Sequence, residues 1–262
     1  MIQFLKKVKG RWISSEKKKQ EEKINKLLSD YIKTNELERL VAKANEASSS
    51  TGVNDYDYFL LHKLIRTKKP KYVLECGTGR STWVLADALQ KNHKEFGIEG
   101  KVISMESIKH WYEEAVRIFP EELKQYAEIR HSEATTFMYS MIKGTCYSEV
   151  PEHPYEIVFV DGPAVEVSEN NTYETANMDF IKVVLRSSNP VTAVIDYRLR
   201  TTIAYGIIFG RKKVKFLKPW NVGIVENVTK EDMLINGDAA SLKKILSSVA
   251  DFKYANPSWI EE

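Results

Sequence analysis

The stretch "YVLECGTGRSTWVLADAL", residues 72–89, carries the clearest structural pattern in the chain. The apolar run Tyr72-Val73-Leu74 predicts a buried strand, and this run stops at the acid Glu75. Gly77 and Gly79 follow, and beyond them apolar residues recur with a helical period. Glycines let a backbone approach a ligand closely, and the first N–H groups of a helix have no partner within it. The stretch therefore predicts a ligand beside a strand–turn–helix unit, with a tight turn that binds nothing as the alternative.

Downstream of residue 54, strand and helix patterns alternate along the chain. The predicted strands are 71–75, 101–106, 127–131, 155–161 and 191–196, and the predicted helices are 55–67, 81–92, 108–119, 134–142, 173–187 and 199–209. Such alternation is typical of a doubly wound, mostly parallel sheet with helices on both faces, an α/β fold. "KKVKFL" (212–217) and "VGIVENV" (222–228) predict a closing antiparallel hairpin.

The segment 1–50 is predicted to be an N-terminal helical segment ahead of the main domain, 51–262. Two apolar stripes at helical spacing support this, Ile24, Leu27, Leu28 and Tyr31, then Leu37, Leu40, Val41 and Ala44. Asn35 and Glu38 have the spacing of a capping box, and "ASSSTG" (47–52) predicts a loop. The stripes need a surface to bury them, either the active-site mouth or a second subunit, so a homo-oligomer through these helices is an expectation.

Composition bounds the class of protein. The chain has 262 residues, 43% of them hydrophobic, and a formal net charge of +3, which implies no polyanionic partner overall. Its first 23 residues are rich in lysine, a pattern typical of the solvated face of a helix, with docking to nucleic acid or an anionic membrane as the alternative. No transmembrane segment or signal peptide is expected, and Cys76 and Cys146 form no CxxC pair. We expect a cytoplasmic protein.

Polar residues stand at the ends of three further predicted strands, where a doubly wound sheet binds its ligands. Glu106 ends the second strand, and an acid there can accept both hydroxyls of a ribose. Ser132 and Glu133 follow the third strand, either near an adenine or as a helix cap. Asp161 closes the apolar run of the fourth strand before a Gly-Pro turn, and burying it unpaired would be costly. These positions favour a nucleoside-containing ligand.

This arrangement resembles the class I S-adenosylmethionine-dependent methyltransferases, from about residue 55 to 228. The stretch "KPKYVLECGTGRSTWVLADAL" looks like small-molecule O-methyltransferases of the caffeoyl-CoA and catechol type. The resemblance implies a seven-stranded sheet closed by the final hairpin, and S-adenosylmethionine as cofactor. It also implies cofactor-binding residues, namely Glu75, Gly77, Gly79, Ser81 in the third glycine position, Glu106, Ser132, Glu133 and Asp161.

Metal-dependent members of that group carry an acid after strand four and an Asp-Asn pair after strand five. Here Asp161 and Asp196 fall in those places, but Tyr197 stands where the asparagine would. Mg²⁺ as a cofactor is therefore not favoured, and no metal ligand is assigned. Asp161 and Asp196 are the candidate catalytic residues, as base or orienting groups for an acceptor.

Weaker candidates surround these two acids. Histidines at 131 and 153 could serve as bases, and Tyr197, Arg198 and Arg200 could shape an acceptor pocket, with a solvated loop as the alternative.

The leading interpretation is methyl transfer to a hydroxyl of a small molecule or saccharide, without DNA as a partner. An RNA or protein methyltransferase docked through the lysine-rich start is one alternative, and a non-catalytic cofactor-binding module is another. A nicotinamide-dependent oxidoreductase is disfavoured, because Ser81 replaces the third spaced glycine and Gly77 lies 106 − 77 = 29 positions before Glu106, against roughly 20 in dinucleotide folds.

Overall fold

The computed structural model describes most of the chain. The described residues are 19, 22–23, 25–49, 55–140, 142–163, 166–168, 171–173, 175–210, 212–217 and 221–233. The lysine-rich start and Ile24 of the first apolar stripe therefore lie almost entirely outside the described residues. Among those that are described, no helix has both the length and the apolar character needed to cross a membrane.

The helices are α1 (25–34), α2 (Leu37–Ala47), α3 (Asp55–Lys68), α4 (Arg80–Phe96), α5 (Lys109–Ile118), α6 (Asp179–Arg186) and α7 (Leu199–Phe209). Within the described part of the chain, 3-10 helices occupy Glu121–Tyr126 and Lys230–Asp232. The strands are β1 (Tyr72–Cys76), β2 (Lys101–Glu106), β3 (Ala127–His131), β4 (Ala134–Tyr139), β5 (Ile142–Tyr147), β6 (Ile157–Val160), β7 (Glu166–Ser168), β8 (Asn171–Tyr173), β9 (Ala176–Asn177), β10 (Val191–Asp196), β11 (Val214–Leu217) and β12 (Val222–Val228).

Seven strands form the main sheet in the order β11-β12-β10-β6-β1-β2-β3. β10, β6, β1, β2 and β3 run parallel, while β12 pairs antiparallel with both β10 and β11. The doubly wound, mostly parallel seven-stranded fold and its closing hairpin are thus confirmed. The chain winds outward from β1 to β3 and then returns to the other side of β1 with β6. The boundary between β1 and β6 is therefore the switch point, where ligands of such sheets bind.

The predicted helix over 134–142 is wrong. This segment is β4, which pairs antiparallel with β5 through six successive residues, and β9 adds a third strand to the small sheet. "ATTFMY" consists mainly of β-branched and aromatic residues, which favour strands. The predicted helix 173–187 is also too long, because α6 begins only at Asp179.

The two faces of the main sheet bury separate apolar layers. On β1, Val73 points to the layer that contains α1 to α4, and Leu74 and Cys76 point to the layer that contains α6 and α7. Successive side chains of a strand point to opposite faces of the sheet. Because both faces are buried here, the central strands are apolar at most positions instead of alternating between apolar and polar residues.

The N-terminal helices pack on the same core as the main sheet. Leu28, Leu37, Val41 and Ala44 are buried in the layer that includes α3 and α4. The Asn35–Glu38 capping box is wrong, because Asn35 lies in the turn after α1 and its amide donates to the Tyr31 carbonyl at 2.9 Å. The described residues of the two stripes thus pack wholly or partly on the chain's own core, and the homo-oligomer stays a prediction. The boundary at residue 50 stays a prediction.

Candidate functional site

Gly77 holds the end of β1 against the end of β6. Its φ is +99°, a conformation that favours glycine, and a Cβ added there would lie 3.0 Å from the backbone of both Asp161 and Gly162. Its N–H donates to the Met105 carbonyl at 2.9 Å. The packing of neighbouring turns therefore requires a glycine at this position, whether or not a ligand is present.

Gly79 lies in open space. It is the N-cap residue of α4, its φ of 166° is extended, and an added Cβ would meet no atom of the chain within 4 Å. The hydroxyl of Thr82, in the first turn of α4, accepts a hydrogen bond from the Gly79 N–H at 3.2 Å. The turn thus presents bare backbone and the start of a long helix to the carboxyl edge of the sheet, an arrangement suited to a closely approaching ligand.

Glu75 is fully buried between β1 and α4. The Ser81 hydroxyl donates to its Oε1 at 2.5 Å, and the Thr82 hydroxyl donates to its Oε2 at 2.6 Å. Burial raises the pKa of Glu75 to about 7, although these hydroxyls and that of Ser104 act in the opposite direction. The structure therefore uses Ser81 and Glu75 together, to tie the strand end to the helix start.

Glu106 lies at the end of β2, next to β1. Its side chain is 8% exposed, and its Oε1 accepts hydrogen bonds from the N–H groups of Ser107 at 2.7 Å and Ile108 at 2.8 Å. Burial raises the pKa of this carboxyl, against the lowering effect of those backbone donors. The amides fix the direction of the carboxylate at the ligand edge of the sheet.

Ser132 and Glu133 lie beside Glu106, at the end of β3. The Ser132 N–H donates to the Glu106 carbonyl at 2.9 Å, and its hydroxyl accepts from the Glu149 N–H at 3.0 Å. The Glu133 side chain is exposed, and its carbonyl accepts from the Ser148 N–H at 2.8 Å. These contacts bring the predicted adenine-side residues next to the predicted ribose-side residue, although both are already held by the loop that follows β5.

Asp161 and Asp196 follow the adjacent strands β6 and β10. The Asp161 N–H donates to the Cys76 carbonyl at 2.8 Å, which places Asp161 across the switch point from the glycine turn. Burial, followed by the charge of Asp196, raises the pKa of Asp161 to about 8. Burial also raises the pKa of Asp196, which is 9% exposed. The two candidate catalytic acids are thus close enough to interact.

Arg198 supports this pair instead of lining an open pocket. Its Nη1 donates to the Pro163 carbonyl at 3.2 Å, and its Nη2 donates to the Asp161 carbonyl. Asn177 also binds the turn that follows Asp161, because its side-chain amide donates to the Gly162 carbonyl at 2.8 Å. Sequence reasoning missed Asn177, which carries no motif and precedes α6 by two residues.

Asp57 is the second residue that sequence reasoning missed. It lies in the first turn of α3, and its side chain is 1% exposed. The signal available in the sequence was an acid directly before the apolar run "YFLL" (58–61), inside a predicted helix. Burial of such a residue without a partner would be costly.

The weaker candidates have mixed positions. His131 is exposed at the end of β3, with its Nε2 3.2 Å from the Ser107 carbonyl. His153 precedes β6 and stacks on Tyr72 at 4.3 Å, at the opposite edge of the sheet, so it lies away from the candidate site. Tyr197 is 72% exposed and Arg200 is exposed, which places both at the rim beside Asp196.

The donor set does not fit a metal ion. Among the described residues, no group of three histidine, cysteine, aspartate or glutamate side chains is arranged to hold one. Tyr197 stands where an amide ligand was expected, so the sequence supplies one oxygen ligand fewer at this position.

No family model and no curated protein matches the chain. Among solved structures it is similar to the O-methyltransferase TomG from Streptomyces achromogenes in complex with SAM, at 17% identity over 72% of this chain and 89% of that one, with a TM-score of 0.47. It is also similar to a Bacillus cereus O-methyltransferase in complex with SAH, at 14% identity over 77% and 90% of the two chains, with a TM-score of 0.43. The SAH-bound methyltransferase PaMTH1 from Podospora anserina matches at 14% identity over 79% and 76%, with a TM-score of 0.41.

Proposed function

We propose that this protein is an S-adenosylmethionine-dependent methyltransferase that methylates a hydroxyl group of a small molecule or saccharide. One observation carries the proposal. The open glycine turn at Gly79 faces the carboxyl edge of the sheet, beside Glu106 on one strand and across the switch point from Asp161. A bare turn, a helix N-terminus and flanking carboxylates suit a nucleoside that carries a positively charged group.

The residues present fit the cofactor. The space at Gly79, which a Cβ would fill without touching the chain, supports close approach of the methionine part. Glu106, its direction fixed by two backbone amides, is suited to accept ribose hydroxyls. Ser132 and Glu133, next to Glu106, are then on the adenine side. When bound, S-adenosylmethionine supplies a methyl group on a sulfonium sulfur.

The role proposed for Asp161 and Asp196 is alignment and proton acceptance. The acceptor hydroxyl would lie between these acids and the methyl group, in line with the carbon–sulfur bond. Alignment of reacting groups and a positioned base are the two contributions that a protein makes to such a displacement. Raised carboxyl pKa values at this edge bring these acids nearer to neutral pH, where a general base is most effective. Glu75 acts through Ser81 and Thr82, by holding the turn in place.

The acceptor enters from the rim formed by Tyr197 and Arg200 in this proposal. Both side chains are exposed, and they lie one and four residues after Asp196. Because the guanidinium of Arg198 is bound to backbone carbonyls, it is less suited than Arg200 to contact an acidic or polyhydroxylated acceptor.

Cofactor binding tests the proposal first. We expect S-adenosylhomocysteine to raise the melting temperature and to bind in calorimetry, and NAD to do neither. A methyl-labelled S-adenosylmethionine assay against a panel of hydroxyl-bearing small molecules and saccharides then tests turnover. Binding of NAD without S-adenosylhomocysteine would favour the oxidoreductase alternative, and cofactor binding without methylation in any panel, RNA and protein included, would favour the binding module.

A further inference from the structure

All three backbone carbonyls of the β6 turn, which consists of Asp161, Gly162 and Pro163, are bound by side chains. Arg198 donates its Nη2 to the Asp161 carbonyl and its Nη1 to the Pro163 carbonyl at 3.2 Å. Between these two, the Gly162 carbonyl accepts from the side-chain amide of Asn177 at 2.8 Å. Two side chains from different elements therefore hold three successive peptide units, and they fix the direction in which the Asp161 side chain leaves the backbone.

Both of these side chains belong to residues that are themselves held in place. Asn177 is 1% exposed, its Nδ2 also donates to the Asp179 carboxylate at 3.0 Å, and its Oδ1 accepts from the Tyr205 hydroxyl at 2.9 Å. The carbonyl of Arg198 accepts from the Thr202 N–H at 3.0 Å, in the first turn of α7. The β6 turn is therefore tied to the starts of α6 and α7.

Neighbouring groups leave the β6 turn no room to shift. A Cβ added at Gly162 would lie 2.6 Å from the Tyr147 hydroxyl and 2.7 Å from the Gly77 nitrogen. The Asp161 N–H donates to the Cys76 carbonyl at 2.8 Å, at the end of β1. The β6 turn and the glycine turn after β1 therefore pack as one unit, and the groups that hold the first also set its position relative to the second.

Tyr197, directly before Arg198, has a strained backbone. Its φ is +42°, a left-handed conformation that bulky side chains rarely adopt. Such conformations persist where the surrounding contacts determine the backbone, and they cluster at functional sites. The side chain of Tyr197 is 72% exposed, so its own packing does not account for the conformation. The hydrogen bonds of Arg198 do, because they hold the residue before α7 against the end of β6.

The positive charge of Arg198 acts on both candidate catalytic acids. Burial, then the charge of Asp196, and further the charges of Glu75 on β1 and Glu106 on β2 raise the pKa of Asp161, whereas Arg198 lowers it. Burial likewise raises the pKa of Asp196, and Arg198 again acts in the opposite direction. Loss of the guanidinium should therefore favour the protonated form of these acids.

We propose that Arg198 and Asn177 are positioning residues of the proposed reaction, which fix the β6 turn so that the Asp161 carboxylate faces the space between cofactor and acceptor. Arg198 acts through its position and its charge, and Asn177 acts through its position alone, because an amide is neutral. The catalytic role of Asp161 rests on the proposed function. The fixation of the β6 turn does not, so it can be measured on the protein without cofactor or acceptor.

Amide hydrogen exchange measured by NMR tests the fixation of the β6 turn. Arg198→Lys keeps the charge but lacks the planar fork that reaches two carbonyls. We expect the Asp161 amide to exchange about tenfold faster or more in Arg198→Lys and in Asn177→Ala, while amides in the middle of β6 keep their native rates. Arg186→Gln, which removes an exposed arginine at the end of α6, is the matched control and should leave the Asp161 amide unchanged.

Carbon-13 NMR of carboxyl-labelled aspartate separates the charge of Arg198 from its position. Asp161, assigned by its absence from Asp161→Asn, should titrate near pH 8 in the native protein, as burial predicts. Arg198→Gln removes the positive charge, so this titration should move to higher pH by about one unit. In Arg198→Lys and Asn177→Ala it should stay close to its native value.

With an acceptor in hand, kinetics make the same separation. Arg198→Lys and Asn177→Ala should lower kcat by about tenfold or more and leave the acid limb of the kcat/KM profile unmoved, since only alignment is lost. Arg198→Gln should lower kcat and also move that limb to higher pH by the shift seen in NMR. Absence of S-adenosylhomocysteine binding by the native protein would refute the methyltransferase while leaving the fixed turn intact.

Native exchange of the Asp161 amide in both Arg198→Lys and Asn177→Ala would overturn the proposal, as would an unmoved Asp161 titration in Arg198→Gln. Should Asn177→Ala fail to fold by circular dichroism, the two Arg198 variants decide alone. A native kcat in Arg198→Lys, together with a lower melting temperature, would show that Arg198 serves stability only.

Discussion

The Ser81 hydroxyl donates to the Glu75 carboxylate over 2.5 Å, joining the carboxyl end of β1 to the first turn of α4. Both residues are buried, at 3% and 0% exposure. The glycine turn between them is therefore held from inside the fold, by a strand-end acid and hydroxyls in the first turn of the helix. Serine at position 81, where a third glycine was expected from the resemblance to methyltransferases, has a structural explanation in this bond.

Ser81→Ala should lower the free energy of unfolding by about 1.5–3 kcal/mol, the scale for a hydrogen bond to a charged group. The reason is that one oxygen of the buried carboxylate loses its donor. Urea denaturation monitored by circular dichroism measures the change. Ser187→Ala is the control, since that hydroxyl is bonded at an exposed turn and its loss should have much less effect. Equal effects of the two substitutions would contradict the role of Ser81.

The strand pattern of the sequence predicted the main sheet because its central strands are buried on both faces. Segments such as residues 101–106 and 191–196 consist mainly of apolar and β-branched residues, and the structure has strands with those bounds. The segment 134–142 failed because helical spacing of a few apolar residues does not outweigh β-branched and aromatic side chains. A hairpin can also replace a helix in a crossover without altering the order of the main sheet.

The acids of the candidate site at strand ends could be predicted for a simple topological reason. Carboxyl ends of parallel strands meet at one edge, so Glu106, Asp161 and Asp196 had to lie near one another. Asp57 could not be found in this way, because it belongs to α3, ahead of the sheet, and only tertiary packing buries it.

The two glycines of the turn should respond differently to substitution. Gly77→Ala should lower the melting temperature, because the new Cβ would lie 3.0 Å from the backbone of Asp161 in a left-handed conformation. Gly79→Ala should leave the melting temperature nearly unchanged, because nothing lies within 4 Å of its Cβ, but weaken S-adenosylhomocysteine binding by about tenfold or more. Thermal unfolding and calorimetry on both variants give the comparison, and wild-type affinity of Gly79→Ala would show that no ligand approaches that backbone.

Asp161→Asn should increase stability at alkaline pH while it decreases turnover. The folded pKa of about 8 exceeds the unfolded value of about 3.9, so from pH 4 to 8 the unfolded chain releases a proton that the folded protein keeps. The contribution of Asp161 to stability is therefore present at pH 4 and lost as the pH rises toward 8. Asp161→Asn has no titrating group at this position, so its free energy of unfolding relative to that of the native protein should increase from pH 4 to pH 8.

Denaturant unfolding of both proteins at pH 4.5, 6.5 and 8.5 measures this difference. Burial also raises the pKa values of Glu75 and Asp179 to about 7. Their pH-dependent contributions to the free energy of unfolding are present in both proteins, so they largely cancel in the difference between the two. Turnover of an identified acceptor should fall by on the order of 10²-fold, the lower range for a positioned base. A stability difference independent of pH would mean that Asp161 titrates alike in the folded and unfolded chain.

Leu37→Ala should destabilise the whole protein by about 2–5 kcal/mol, as expected for a leucine removed from a packed core. Leu37 is 0% exposed in the layer shared with α4, whereas Leu40 is only partly buried against the same layer. Leu40→Ala is therefore the matched control, with a smaller expected loss. If Leu37→Ala unfolds in a single transition at a lower denaturant concentration, α2 belongs to the cooperative fold. If the native protein shows a separate early transition and the variant loses only that one, the N-terminal segment unfolds independently.

Glu106→Ala should weaken S-adenosylhomocysteine binding by about 1.5–3 kcal/mol, the scale of hydrogen bonds to a charged group. The carboxylate is held by the N–H groups of Ser107 and Ile108, so its removal also frees that turn, and a fall in affinity alone would leave two explanations. Glu106→Gln separates them, because its amide oxygen can still accept from both N–H groups while the charge is lost. If the carboxylate binds the ribose, the glutamine variant should keep the native melting temperature and still lose affinity in calorimetry, since the NH₂ group that takes the place of the second carboxylate oxygen cannot accept from a hydroxyl. Native affinity in Glu106→Gln together with weak binding in Glu106→Ala would assign Glu106 to the turn instead of the cofactor.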